Sequence, residues 1–130
     1  MKRTIHLFSL FLFIAFLTVS CGKASKDDSS LVSPQELSTK QNEIVLIDVR
    51  TPQEYEQGHL ENAVNINIAD KSFAEEVGKL DRSEPVYVYC QVGGRSARAA
   101  SMLREMGFEK VYDLEGGISN WEKSGMKVVK

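Results

Sequence analysis

Hydrophobic and polar positions divide the chain into three unlike stretches. Leu7 to Val19 is a thirteen-residue apolar run broken only by Ser9 and Thr18. Gly22 to Ser30 has no apolar residue except Ala24. From Leu31 onward, short apolar runs alternate with capping and turn residues, the punctuation of a folded domain.

Within that third stretch the elements follow one after another. Ser33-Pro34-Gln35-Glu36 supplies an N-cap, a proline at the first helical position and a capping-box glutamate, which predicts a short helix. Ile44 to Ile47 is a continuous aliphatic run, the pattern of a strand buried on both faces, with Asp48-Val49-Arg50 at its carboxyl end. Thr51-Pro52-Gln53-Glu54 repeats the capping pattern, and Gly58 ends the second short helix. Val64 to Ile68 alternates like a half-exposed strand, and Phe73, Val77 and Leu80 are spaced like the inner face of a helix. Pro85 opens a buried strand, Val86 to Tyr89, that runs straight into Cys90.

Ser96 to Met106 is rich in strong helix formers and stops at Gly107. Lys110 to Leu114 supplies a last strand, Gly116-Gly117 a turn, and Ile118 to Lys123 a last helical turn carrying Trp121, read as a core residue. Strands alternating with short helices call for an α/β domain over residues 31–130, a mainly parallel sheet with helices on both faces.

The first two stretches read as export and tethering. Lys2 and Arg3 precede the apolar run, which stops well short of the ~20 residues a membrane span requires, so residues 1–20 are expected to be a signal peptide. Val19-Ser20-Cys21 resembles a bacterial lipobox, although Thr18 stands where leucine is usual and the nearest leucine is Leu17. Cys21 is thereby expected to be lipidated, residues 21–30 to be a flexible linker, and the domain to be anchored to a bacterial membrane facing the periplasm or cell exterior.

Loss of the signal removes Lys2 and Arg3 and leaves 14 bases against 18 acids, a net charge of −4. A mildly acidic domain excludes the basic stripe of nucleic-acid binders. Lipidation of Cys21 would leave Cys90 unpaired, which excludes a disulfide framework and a dithiol oxidoreductase.

The chemistry therefore gathers at Cys90. In open parallel sheets functional groups collect beyond the carboxyl ends of strands. The loop Cys90-Gln91-Val92-Gly93-Gly94-Arg95 joins such an end to a helix N-terminus, so its N–H groups are expected to form an anion cradle, with Gly93 and Gly94 letting the backbone curl inward. That setting lowers a thiol from its ordinary ~8.5. Arg95 is available either to hold a neighbouring acid or to contact an anionic substrate, the structural role being favoured. This reading requires a thiol that is not packed away from solvent and amides of residues 91–95 that converge on it; otherwise the loop is a scaffold.

Three segments together resemble the rhodanese-like family: Leu46-Ile47-Asp48-Val49-Arg50 continuing through Glu54-Tyr55, Gly58-His59-Leu60 and Ala63-Val64-Asn65; Tyr89 to Ser96; and Leu114-Glu115-Gly116-Gly117-Ile118 with Trp121. The resemblance implies a five-stranded parallel sheet between helices. It also implies sulfur transfer: Cys90 attacks the outer sulfur of a sulfane donor, becomes a persulfide and passes the sulfur to a thiol or cyanide acceptor, with no metal or cofactor. Asp48, Arg50 and Glu54 are expected to form an ion-pair network bracing the rim, with direct substrate contact the alternative for Arg50, and His59 to be a structural hydrogen-bond partner.

Two other functions compete. Cysteine phosphatases and arsenate reductases place five residues between cysteine and arginine, whereas only Gln91 to Gly94 intervene here, a ring too small for phosphate. A non-catalytic binding module, or a persulfide carrier for a partner protein, is the third reading; retention of Cys90 argues against the former. Gln91 and Val92 add no positive charge, so thiosulfate is expected to be a poorer donor than a polysulfide or thiol persulfide.

Overall fold

The computed structural model describes residues 30–130. The expected signal peptide, the lipidation site Cys21 and the linker up to residue 29 lie outside the described residues. Ten elements follow in order: β1 (Ser30–Val32), α1 (Pro34–Lys40), β2 (Val45–Asp48), α2 (Pro52–Gln57), β3 (Val64–Asn65), α3 (Phe73–Gly78), β4 (Val86–Tyr89), α4 (Gly94–Glu105), β5 (Val111–Leu114) and α5 (Gly117–Lys123). The strands form one sheet in the order β1-β5-β4-β2-β3, and every pairing is parallel.

Alternation along the central strands feeds two cores. Ile47, Val86, Val88 and Cys90 face Phe73 and Val77 of α3 and Ala99, Ala100 and Leu103 of α4. Leu46, Tyr87 and Tyr89 face Leu37 of α1 and Ile118 and Trp121 of α5, with Tyr55 of α2 packed alongside. Helices thus cover both faces, as the doubly buried strands required.

Three local expectations change. Ser30, assigned to the linker, begins β1, where Ser30, Leu31 and Val32 stand beside Tyr112, Asp113 and Leu114; a three-residue strand has no periodicity to announce it. The expected strand Val64–Ile68 contracts to Val64–Asn65, because Ile66 and Ile68 donate instead to the Asp48 and Val49 carbonyls as the chain curls past the end of β2. Thr51 and Glu54 form the full reciprocal capping box on α2. At α1 Ser33 caps the Glu36 N–H, but the Glu36 carboxylate is drawn to Lys40 at 2.7 Å and does not reach back.

Candidate active site

Chain order places the site. From β2 the sheet grows outward to β3, then reverses to add β4 on the other flank, so β2 and β4 border the switch point where ligands of such sheets bind. Asp48 ends β2, and Cys90 follows β4 directly. Val49 extends the ladder by donating to the Tyr89 carbonyl at 3.0 Å, which holds the two strand ends together.

The loop after β4 closes on the sulfur. Gly93 takes φ 121°, ψ −17°, a backbone conformation that residues with a Cβ rarely adopt. Its N–H donates to Cys90 Sγ at 3.1 Å. Burial pushes the Cys90 thiol up, but hydrogen bonds from the Ser96 hydroxyl and from the Ser96, Gly93 and Val92 N–H groups outweigh it, and the thiol is held below its ordinary range. Of the loop amides expected to converge on the sulfur, Gly93 is the one within hydrogen-bond geometry of it. Gly94 corrects one detail: it opens α4 without a positive φ, and a Cβ there would meet nothing within 4 Å. Only Gly93 needs to be glycine for the curl.

Cys90 is also 1% exposed. The requirement that the thiol not be packed away is not met in this conformation, because the core lies on one side of it and the loop folds over the other. An inert core cysteine would be pushed upward by burial, whereas this one is lowered; its setting is buried and polar together.

The ion pairs divide differently from the single network expected. Arg50 and Asp48 pair at 2.6 Å with both side chains buried, and Arg50 also donates to the Gly58 carbonyl at 2.7 Å. Glu54 turns instead to Arg95, bidentate at 2.7 and 2.8 Å, and that partner lowers its carboxyl to about 2. Reach explains the division, since Glu54 lies in the first turn of α2 and faces the start of α4, while Arg50 folds back on its own strand end. Arg95 takes the structural role.

Gln91 is equally committed: its Oε1 accepts from Arg50 at 3.2 Å and its Nε2 donates to Ser119 Oγ at 2.9 Å. Val92 stands 69% exposed at the loop tip.

The N-terminus of α5 supports the loop from below. Ile118 donates to the Cys90 carbonyl at 2.9 Å and Ser119 to the Gln91 carbonyl at 3.1 Å. Gly117, at φ +62°, permits this approach, since a Cβ would lie 2.5 Å from the Cys90 oxygen. His59 stacks on Tyr55 with ring centroids 3.7 Å apart and bonds the Tyr55 carbonyl through Nδ1, a structural role as expected. Trp121 is buried and donates to the Lys127 carbonyl, as a core residue with a polar tip should.

The sequence reading gave no role of its own to Ser119, to Ser96 at the end of the loop motif, or to Asp113, which is buried among apolar residues of β5. An acid inside the run Val111-Tyr112-Asp113-Leu114 was the available signal. A cleft of about 190 Å³ beside the loop is lined by Arg50, Glu54, Gln91, Ile118 and Glu122 among others. A larger one, about 530 Å³, lies at the amino end of β5 beside Arg104, and none of its lining residues belongs to the loop.

Comparison with known proteins places this geometry among relatives. The family model described as "Rhodanese-like domain" matches residues 33–124. The chain is 42% identical over 76 residues to the uncharacterized protein YqhL of Bacillus subtilis, a match covering 58% of this chain and 59% of that protein. It is 40% identical over 83 residues to thiosulfate sulfurtransferase GlpE of Coxiella burnetii, covering 64% and 76% respectively. Among solved structures, a rhodanese-related protein of Thermoplasma volcanium superposes with a TM-score of 0.70 at 32% identity, over 77% of this chain and 97% of that one.

Proposed function

We propose, since this chain belongs to the rhodanese-like domain family, that it is a sulfurtransferase in which Cys90 carries sulfane sulfur as a persulfide from a donor to a thiol or cyanide acceptor. The observation that carries the reading is the placement of Cys90 directly after β4, in a loop that curls back so that the Gly93 N–H donates to its sulfur at 3.1 Å. In the first half-reaction the thiolate attacks the outer donor sulfur, the donor's sulfur–sulfur bond breaks with its electron pair leaving on the donor, and a Cys90 persulfide forms. In the second, the acceptor takes that sulfur and Cys90 regains its thiolate. The terminal sulfur of the persulfide is itself anionic, so the same N–H groups stabilise both states.

The donor is proposed to be a polysulfide or thiol persulfide in preference to thiosulfate. Both arginines near the thiol are engaged, Arg50 by Asp48 and Arg95 by Glu54, and the adjoining cleft adds Glu122. A doubly charged donor would find backbone dipoles but no uncommitted cation in this loop. Export and a lipid anchor at Cys21 complete the proposal, supported by the amino-terminal sequence pattern alone.

Burial of Cys90 favours one alternative, a rhodanese-like module that docks partners without turnover. Intact-mass measurement after exposure to a sulfane donor separates the two. Gain of one sulfur atom by the parent protein and none by Cys90→Ser supports transfer; no gain by either supports the docking module.

A further inference from the structure

The cleft of about 190 Å³ beside the Cys90 loop carries an unbalanced charge. Two of the charged side chains that line it are already answered, Arg50 by Asp48 at 2.6 Å and Glu54 by Arg95 at 2.7 Å. Glu122 is left over, with no ion pair among the described residues. Its own helix explains why. The positions three and four residues away on either side are Ile118, Ser119, Gly125 and Met126, none of which can meet a carboxylate with a charge. Neither Lys123 nor Lys127 lines the cleft.

Glu122 also has a fixed place relative to the reacting residue. It lies on α5, whose first N–H groups hold the loop: Ile118 donates to the Cys90 carbonyl at 2.9 Å and Ser119 to the Gln91 carbonyl at 3.1 Å. Glu122 follows Ile118 by four residues, so the two share a helix face about one turn, ~5.4 Å, apart, and both line the cleft. The cleft thus offers apolar contact from Ile118 and Val128 next to the loop, and a negative charge one turn away.

We propose, on the premise of the sulfur-transfer reading, that Glu122 is a specificity-determining residue and that the sulfur acceptor is a small aminothiol. The ammonium of the acceptor sits against Glu122, and its methylene stem lies on Ile118 and Val128. In the step this serves, the acceptor thiol gives its proton to water and its sulfur bonds to the outer sulfur of the Cys90 persulfide. The bond from that outer sulfur to Cys90 Sγ breaks with its electron pair on Sγ, and the acceptor leaves as its own persulfide. Cys90 is 1% exposed, but the outer sulfur stands one sulfur–sulfur bond, about 2 Å, beyond Sγ, so the acceptor need not reach Sγ itself.

The test uses three acceptors with the same short stem and different charge: cysteamine, positive; mercaptoethanol, neutral; and mercaptopropionate, negative. Their thiols differ in intrinsic reactivity, so the readout is how a substitution changes the ratios of their kcat/KM values. Glu122→Gln should lower the ratio of cysteamine to mercaptoethanol about two- to fivefold, the reach of one exposed ion pair, and raise that of mercaptopropionate by a similar factor. Glu122→Lys should carry both ratios further the same way, and high salt should move the parental ratios in the same sense. A packing role for Glu122 would change all three values together, and unchanged ratios overturn the proposal.

Failure of the sulfur-transfer reading would show as no turnover of any acceptor, and binding then decides alone. Methylthioethylamine has the cysteamine stem and charge but no thiol. It should shift the backbone amide resonances of Gln91, Ile118 and Glu122 in the parent protein and shift them less in Glu122→Gln, while methylthiopropionate should leave them in place. No shift, or equal shifts from the amine and the acid, overturns the proposal.

Discussion

Arg95 and Glu54, 41 positions apart in sequence, meet through two guanidinium–carboxylate bonds of 2.7 and 2.8 Å. The pair fastens the start of α4 to the start of α2 across the mouth of the Cys90 loop. It occupies the one cation that the loop itself carries.

Releasing that cation should alter donor choice. Glu54→Gln frees Arg95, and kcat/KM for thiosulfate should rise roughly tenfold, the worth of one charge-assisted hydrogen bond, while the value for a polysulfide changes little. Equal changes for both donors would exclude this role. In the parent protein the same assay should favour polysulfide over thiosulfate, and comparable values would contradict the proposed donor.

The same pair predicts an acid-labile contribution to stability. Glu54 is lowered from 4.5 to about 2, so its contribution is fully present above about pH 4.5 and is lost as pH falls towards 2. Its side chain is 31% exposed and that of Arg95 39%, so screening limits the contribution to about 1 kcal/mol. Urea unfolding of the parent and of Glu54→Gln should differ at pH 6 and converge near pH 2; a constant difference would show that the ion pair is not its source.

Asp48 and Arg50 should behave otherwise, because both are buried. Asp48→Ala leaves the guanidinium with the Gln91 side chain and the Gly58 carbonyl but no counter-charge, and should cost about 3–5 kcal/mol. A urea midpoint within a few tenths of the parental value would refute that. Arg50 lies over the Tyr89 ring at 5.7 Å, so near-ultraviolet circular dichroism should change as well.

Three neighbouring glycines separate by mechanism. Gly94→Ala meets open space at an ordinary helical position and should stabilise by about 0.4–1 kcal/mol. Gly93→Ala forces a Cβ into φ 121° and should destabilise by more than that while raising the alkylation midpoint of Cys90. Gly117→Ala drives a Cβ against the Cys90 and Gln91 carbonyls and should slow sulfur transfer most. Thermal midpoints and alkylation rates check the order; a harmless Gly117→Ala would mean that α5 does not set the loop.

What lay open in the linear sequence was whatever depends on near neighbours. Ile44–Ile47 and Val86–Tyr89 announced doubly buried strands, Thr51 and Glu54 their capping box, and Cys90 with Gly93 an anion cradle at a strand end, because hydrophobic period, cap chemistry and glycine freedom all act within a few residues. Tertiary structure alone decided who meets whom. Ser30–Val32 is a strand only because β5 offers it an edge. Glu54 chose Arg95 over Arg50, and Gln91 came to meet Ser119, because the packing of α2, α4 and α5 sets distances that no local pattern encodes. The burial of Cys90 belongs to the same class, since a side chain's access to water depends on every element folded over it.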